Sequence, residues 1–501
     1  MMATIKEIIA MCKAGDVGEA YEIAKRDFME WPQNIWVQRG LGWVLFYKIK
    51  NCAELRKKEE LYNHFRELSE LDLLTPQTDA YIFDNVLWKI AEYIKDIVNK
   101  EYVEDVERFY LLICKYKFPP SKPYSYLLKS YIKYETWSKM VDFLEWWNIE
   151  NLLPEDYESF QMDNGRKIMS LAEQVYIAYS KALLKLNNKE KIQLFLPKIE
   201  RLMDEYPEMV YPGYFCGKLM LVMGAERNEA LNIVMPFVRK KKADFWVWQL
   251  IGDIYNDDSE MQLSCYLRAA HCRTKEEFLG KLRIKLARLY IEKQDYARAK
   301  YHINKVFQCY TINGWRQPNE IQVWINDANI QAAIANDNDG INYNEYTDNI
   351  LRIGANQSIA LITYVDAKTK RAILVYGLKK RASVKLSDLK VKVKAGSLIK
   401  IHWEENGTDK INVLGADGQK YIDIENLSYL KKLEGKITKF NDKPFAFLKT
   451  GNINCYINPM LVENNKLSNG DNVSIVSVLD YNKKKEEWEW RCVEVKKRMT
   501  D

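Results

Sequence analysis

The sequence predicts a multidomain protein in which a long α-helical array precedes two small β-barrels. Three observations support this fold class. Apolar residues recur at helical spacing from the N-terminus to about residue 330. Residues 335–349 (ANDNDGINYNEYTDN) are rich in Asp, Asn and Gly, which interrupt regular structure. After this stretch the apolar period changes to two residues, which is the period of a β-strand.

Composition narrows the class of protein. With 47% hydrophobic and 29% charged residues, the 501-residue chain has enough apolar side chains for several packed cores. No apolar run approaches the roughly 18 residues that a membrane span needs, and the N-terminal apolar stretch is too short for a signal peptide. The nine cysteines include no Cys-x-x-Cys pair. We therefore expect a cytoplasmic protein with reduced thiols, no structural zinc site and no membrane association.

Charge divides unevenly along the chain. Residues 355–501 hold 27 Lys and Arg against 18 Asp and Glu, whereas the preceding residues hold 48 against 51. A basic C-terminal region favours a partner with a phosphate backbone. The alternative is a lysine-rich, solvated barrel surface without a nucleic-acid ligand.

Small and aromatic residues recur at fixed places in the helical region. The first set is Ala14-Gly15-Asp16, Ala20, Ala24, Pro32 and Leu41-Gly42, and later sets are Trp248, Gly252, Tyr255, Tyr266 and Ala269, then Ala287, Tyr290, Tyr296 and Ala299. This pattern resembles tetratricopeptide repeats. The resemblance implies an α-solenoid of helical hairpins over residues 1–330. The best match predicts a hairpin over residues 278–310 that turns at residues 293–295.

Between these ends the spacing is less regular but still helical. Helices are predicted over residues 60–74, in two segments over 80–114, as a pair over 124–147 with a turn at 135–136, and over 168–186. Residues 151–165 are predicted to be a loop with one turn of helix. Residues 331–354 are predicted to be a linker.

Residues 355–430 predict a first small barrel. Strands are expected at 358–366 and 371–378, around Val384, and at 398–403 and 410–414. Their order resembles a diverged OB fold. Where an aromatic pair would stand, this segment has Ile373 and Val375. We expect it to be mainly structural, or to bind by charge through Lys379, Lys380 and Arg381.

Residues 431–501 predict the second barrel, and its second strand is the most informative stretch of the chain. In residues 443–448 (KPFAFL), Phe445 and Phe447 stand two apart and should share one strand face, with Ala446 and Leu448 on the other. A strand that buries Ala and Leu while it presents two rings to solvent suits a surface on which bases stack.

The next strand shows the same alternation. Cys455 and Ile457 should face inward, and Tyr456 and Asn458 outward. Together the two strands resemble the ribonucleoprotein motifs K-G-F-G-F-I and V-F-V-H of cold-shock-type OB folds. The chain departs from them where Lys439, beside Phe440, replaces the usual tryptophan and where Asn458 replaces the usual histidine, which implies a smaller stacking platform.

These residues predict a site that binds single-stranded DNA or RNA. Phe445, Phe447 and Tyr456 would stack on bases, with Phe440 and Asn458 beside them. Four lysines would neutralise phosphates, namely Lys436, Lys439, Lys443 and Lys449.

No catalytic motif is visible, so we expect no enzyme, no cofactor and no metal site. The sequence has no phosphate loop, no His-Glu-x-x-His and no nucleophile elbow. The acidic run Asp253, Asp257, Asp258 and Glu260 is predicted to be a solvated turn that caps a helix. The four histidines are dispersed.

The whole chain resembles tetratricopeptide-repeat proteins with OB folds from prokaryotic TOTE conflict systems, through residues 34–50, 169–185 and 276–290. There, such proteins accompany helicases, nucleases or primase-like proteins. The resemblance implies an accessory or sensor role in defence, with a protein partner on the helical repeats. The alternative function is a pure protein-interaction scaffold whose barrels dock on a protein.

Overall fold

The structure is a computed structural model. It describes residues 2–97, 103–165, 167–406, 410–418, 427–440, 442–482 and 485–498. Parts of the predicted segments 80–114, 355–430 and 431–501 lie outside the described residues. The chain forms two compact units, Met1–Lys241 and Lys242–Asp501.

The first unit is helical, as predicted. Its helices are α1 (Ile5–Ala14), α2 (Val17–Glu30), α3 (Ile35–Glu54), α4 (Lys58–Leu68), α5 (Ala80–Ile97), α6 (Val103–Ile113), α7 (Lys122–Tyr131), α8 (Met140–Trp147), α9 (Leu171–Leu186), α10 (Lys189–Glu205), α11 (Pro212–Met223) and α12 (Arg227–Lys240). One apolar core runs through them and includes the fully buried Trp147 and Phe143. The predicted loop 151–165 contains a short 3-10 turn at Pro154–Tyr157, and another at Ile149–Asn151 overlaps its start. An unpredicted ribbon pairs β1 (Phe160–Gln161) with β2 (Lys167–Ile168), so the helix predicted over 168–186 begins at Leu171.

The second unit begins with further helices and continues with strands. Its helices are α13 (Phe245–Ile254), α14 (Ser259–Ala270), α15 (Gly280–Glu292), α16 (Tyr296–Ile312), α17 (Asn319–Trp324), α18 (Ala328–Ala332), α19 (Tyr343–Ile350), α20 (Leu386–Leu389) and α21 (Pro459–Asn464), with a 3-10 turn at Glu276–Leu279. Its strands are β3 (Asn356–Asp366), β4 (Arg371–Gly377), β5 (Lys380–Lys385), β6 (Leu398–Glu405), β7 (Ile411–Gly418), β8 (Leu430–Lys439), β9 (Ala446–Thr450), β10 (Ile453–Ile457), β11 (Asn472–Asn482) and β12 (Glu487–Lys497).

Two of the predicted helical hairpins have the close packing that their small residues allow. A Cβ on Gly252 would lie 2.3 Å from Cε1 of Tyr266, so only glycine fits where α13 meets α14. The turn between α15 and α16 falls at the predicted residues 293–295, where Asp295 accepts a hydrogen bond from the Arg298 amide and caps α16. The hairpins are therefore observed, while their identity as tetratricopeptide repeats stays a prediction.

The predicted linker 331–354 contains the helix α19. Its Asp348 accepts a hydrogen bond from Arg268 on α14 (2.9 Å) and pairs with Lys390 beyond α20. Burial alone would raise the pKa of Asp348, but these two cations hold that pKa below its usual value. The change from helix to strand falls between Ile350 and Asn356, close to the predicted place. The finer division into four domains stays a prediction.

Strands β3 to β7 form an antiparallel sheet in the order β5-β4-β3-β6-β7. Within the residues that the structure describes, no backbone ladder joins the edge strands β5 and β7, so the predicted first barrel is observed as a sheet. Val375 is fully buried in a small apolar cluster with Leu361, Tyr429, Leu430 and Val478, which joins this sheet to the following strands. It therefore has a packing role.

Strands β8 to β12 form a closed five-stranded barrel in the order β10-β12-β11-β8-β9. All ladders are antiparallel except the one between β10 and β12. Leu448, Cys455 and Ile457 are fully buried in its core. Gly435 faces this core, where a Cβ would lie 3.2 Å from Leu448 Cδ1, so glycine allows β8 to pass close to β9.

In the described part of the chain, no helix has the length and apolar character required to span a membrane.

Candidate nucleic-acid interface

Three aromatic rings lie together on the outer surface of the barrel. Phe445 precedes β9, Phe447 lies on it, and Tyr456 is the direct cross-strand partner of Phe447 on β10. The ring centroids are 5.6 Å apart for Phe445–Phe447, 5.5 Å for Phe445–Tyr456 and 5.7 Å for Phe447–Tyr456. All three side chains are half-buried, so each ring keeps an accessible part. We call this group the aromatic triad.

The predicted strand faces are confirmed. Ala446, Leu448, Cys455 and Ile457 are all fully buried in the barrel core. Because side chains alternate across a strand, burying these residues places the neighbouring rings on the outside. The inner face thus fixes the position of the aromatic triad. Burial also raises the pKa of the Cys455 thiol, which is therefore a core residue and not a reactive group.

Directly paired residues on four strands of the barrel form a row that includes two rings of the triad. Thr438 on β8 pairs with Phe447, Phe447 pairs with Tyr456, and Tyr456 pairs with Arg491 on β12. Sequence reasoning missed Arg491, because its pairing with Tyr456 is parallel and joins residues 35 apart in the chain. The alternation of apolar and charged residues along β12 was the one available signal.

Arg491 is held in place by Glu489, whose Oε1 lies 3.1 Å from its Nε. Lys485 and Asn482 also donate hydrogen bonds to Glu489, at 3.1 and 2.8 Å. Burial raises the pKa of Glu489, yet these donors hold that pKa below its usual value. Glu489 is therefore a charge-compensated carboxylate that orients Arg491 beside the triad.

Two of the four predicted lysines lie on β8 and β9, the strands of Thr438 and Phe447. Lys436 on β8 and Lys449 on β9 are exposed on the outer face, and neither has an ion-pair partner among the residues described. Lys443 is exposed too, but its Nζ lies 3.5 Å from Asp442. Lys439 occupies an inward position opposite Ala446, and its Nζ lies 3.4 Å from the Leu467 carbonyl oxygen. The structure therefore directs Lys439 away from the triad.

Phe440 and Asn458 lie at the border of the site. Phe440 follows β8 and is 55% exposed; in the described part of the barrel it makes no ring contact with the triad. Asn458 caps α21, because its Oδ1 accepts a hydrogen bond from the Leu461 amide at 2.9 Å. This helix was not predicted from the sequence. The structure therefore gives Asn458 a capping role whether or not it touches a ligand.

The acidic run around the turn between α13 and α14 has structural partners. Asp258 caps α14 through the Met261 amide (3.1 Å), as predicted, and Asp253 accepts a hydrogen bond from Tyr266 (2.5 Å). All nine cysteines are free thiols. Among the described residues, no group of three His, Cys, Asp or Glu side chains has an arrangement that could hold a metal ion.

Two segments match known protein families. Residues 431–495 match the model of the S1/CSD-like domain 2 of the TOTE conflict systems. Residues 210–349, which run from the segment before α11 into α19, match a domain of unknown function (DUF7017). No curated protein matches the chain. The first match confirms the cold-shock-like prediction for the barrel and its resemblance to conflict systems.

We predict that Asn458→Ala destabilises the barrel by about 1 kcal/mol, because the first turn of α21 loses its cap. Asn458→Asp is the matched control, since aspartate caps helices as well as asparagine does. Thermal unfolding of the full chain would show a lowered transition for the alanine variant only. Equal unfolding temperatures for both variants and the parent would contradict the capping role.

Proposed function

We propose that the chain is a non-enzymatic adaptor, with no cofactor, that binds single-stranded nucleic acid on the barrel and a protein partner on its helical region. The observation that carries this proposal is the aromatic triad, in which three rings with centroids 5.5 to 5.7 Å apart lie over a fully buried inner face. Rings placed on the outside cost stability in water unless a ligand covers them. Bases are planar and stack on such rings without regard to sequence.

The cations around the triad support a single strand of nucleic acid as the ligand. Lys436, Lys449 and Arg491 surround the rings on three different strands. A single strand that stacks its bases on the triad would direct its phosphates toward this border. Stacking and phosphate neutralisation together are the usual combination in proteins that bind single strands.

The family match supports the biological setting. Barrels of the S1/CSD-like type from conflict systems match this segment over nearly its full length. We infer that the chain acts in defence against foreign nucleic acid, as an accessory or sensing component. Its protein partner would be a helicase, a nuclease or a primase-like protein.

The helical region has a surface suited to such a partner. Trp36 on α3 is 58% exposed, and the guanidinium of Arg39 lies 5.0 Å from the centroid of its ring. Arg39 is itself fixed by an ion pair with Asp79 (2.6 Å), and the highly exposed Tyr81 follows two residues later. Tryptophan, tyrosine and arginine are the residues most enriched at the centres of protein interfaces.

We predict that the double substitution Phe445→Ala and Phe447→Ala weakens binding of a 12-nucleotide single strand by about 2 to 6 kcal/mol, since each stacked ring contributes about 1 to 3. Fluorescence anisotropy with labelled DNA and RNA would measure the loss, and their ratio in the parent would identify the preferred strand. Tyr364→Ala is the control, because this exposed aromatic lies on β3 outside the site. Unchanged affinity in the double variant would favour the protein-docking scaffold instead.

We predict that Lys436→Gln together with Lys449→Gln makes binding less dependent on salt. Each lost phosphate contact should reduce the slope of log affinity against log salt concentration by about 0.7. The same anisotropy titration at several salt concentrations measures this slope. A slope equal to that of the parent would show that these lysines do not contact phosphates.

We predict that Trp36→Ala with Tyr81→Ala prevents copurification of a helicase-, nuclease- or primase-like protein with the tagged chain from its native cells, without changing oligonucleotide affinity. Leu194→Ala, another highly exposed apolar residue, serves as control on α10. Retention of the same nucleic-acid enzyme by the variant would exclude this surface as its docking site.

A further inference from the structure

A second candidate binding site lies in a cavity of about 800 Å³ beside the sheet. Its walls come from β4 to β7 of the sheet, with the turns at their ends, and from the β11–β12 hairpin of the barrel. Both edge strands of the sheet, β5 and β7, contribute lining residues. Its volume falls within the range of about 300 to 1,000 Å³ that is typical of small-ligand sites.

The charge of the lining residues indicates an anionic ligand. Four cations border the cavity, namely Lys379, Lys380, Arg381 and Lys410, and Glu405 is the one acidic lining residue in the described part of the chain. Arg381 is compensated by the buried Asp480, 3.0 Å away. Lys379 and Lys410 are exposed, and neither has an ion-pair partner among the described residues. The remaining cations repel a cationic ligand and attract a phosphate.

Aromatic side chains line the same cavity. Trp403 and Tyr376 from the sheet form an edge-to-face pair with centroids 5.2 Å apart, and the Trp403 Nε1–H donates to Ser358 Oγ at 3.0 Å. Tyr481 and Trp488 are cross-strand partners on the hairpin, with centroids 5.6 Å apart. The Nζ of Lys380 lies 5.7 Å from the centroid of Trp403. Flat apolar rings next to cations suit a ligand that has both a planar base and a phosphate.

Strand β12 contributes to both the cavity and the row of the aromatic triad, with Trp488 and Arg491 on opposite faces of the strand. Trp488 lines the cavity, and Arg491, three residues further along the same strand, is paired with Tyr456 of the triad. Three residues of a strand span about 10 Å. Asp480 and Glu489 are cross-strand partners on β11 and β12. Asp480 forms an ion pair with Arg381, and Glu489 forms one with Arg491. Both carboxylates at this end of the hairpin are therefore charge-compensated.

From this arrangement we propose that the cavity between the sheet and the β11–β12 hairpin binds a nucleoside phosphate. Its source is either a nucleotide of the strand that also occupies the triad or a free mononucleotide. The first case rests on the proposed function and extends it. The cavity then holds a nucleotide of the strand beyond the stacked bases.

The experiment compares three variants of the full chain. The cavity variant is Lys379→Glu with Lys410→Glu, which reverses two exposed charges without removing a described contact. The triad variant is Phe445→Ala with Phe447→Ala. The matched control is Lys392→Glu with Lys394→Glu, two exposed lysines of the same unit that do not line the cavity. Fluorescence anisotropy measures the affinity for a 12-nucleotide single strand, and calorimetry measures the affinity for adenosine monophosphate.

We expect the cavity variant to lose roughly tenfold or more in affinity for the 12-nucleotide strand at low salt, while the control changes by about twofold at most. Trp488→Ala should reproduce the loss without changing the charge. If the cavity variant instead loses only adenosine monophosphate binding, the ligand is a free nucleotide.

Parental affinity of the cavity variant for both probes would overturn the inference, and loss of strand binding in the triad variant would then leave the proposed function standing. Loss of strand binding in the cavity variant alone would support the cavity and contradict the triad. If the parent chain binds neither probe, both proposals fail.

Discussion

The alternation of buried and outward residues along β9 and β10 is the constraint on which the candidate site depends. Ala446 and Leu448 on one strand, and Cys455 and Ile457 on the other, are fully buried in one small core. A shift of either strand by one residue would expose these side chains and bury the rings. The core that stabilises the barrel therefore also fixes the aromatic triad on the outside.

The same constraint explains why this part of the site could be predicted from the sequence. Alternation is local, so residues 443–448 and 455–458 were sufficient to assign both faces. The turn at residues 293–295 was equally local, because Asp295 caps the helix that follows it. Gly252 and Tyr266 could be placed by their repeat spacing, since a close helix contact requires a residue without a side chain.

The features that the sequence did not predict depend mainly on contacts between segments that are distant in the chain. Arg491 reaches the site through a parallel ladder that closes the barrel, and no local pattern specifies that partner. Asn458 was predicted from its place in a motif, but it also begins α21, a six-residue helix too short for a periodic signal. Lys439 lies two residues after the buried Ile437 and therefore on the same inward face of β8. Strand alternation could have predicted this orientation if the bounds of β8 had been known. The order of the strands predicted a first barrel. Closing a barrel also requires backbone pairing between the edge strands, and the order of strands along the chain does not determine that pairing.

The charges of the second unit were likewise only partly predictable from the sequence. The basic excess of residues 355–501 is visible in composition, but the pairing of individual charges is not. Asp348, Asp480 and Glu489 each have a basic partner, while Lys436, Lys449, Lys379 and Lys410 have no ion-pair partner within the described residues. Lys436 and Lys449 lie on the strands that form the row of the triad, and Lys379 and Lys410 border the cavity.

The most direct test of the central claim is photocrosslinking of a single strand that carries 5-iodouracil to the full chain, with the attached peptide identified by mass spectrometry. The account predicts crosslinks to Phe445, Phe447 or Tyr456 that an excess of unlabelled strand removes. Crosslinks confined to residues outside the barrel, or none under conditions in which the strand binds, would contradict the assignment of the aromatic triad as the stacking surface.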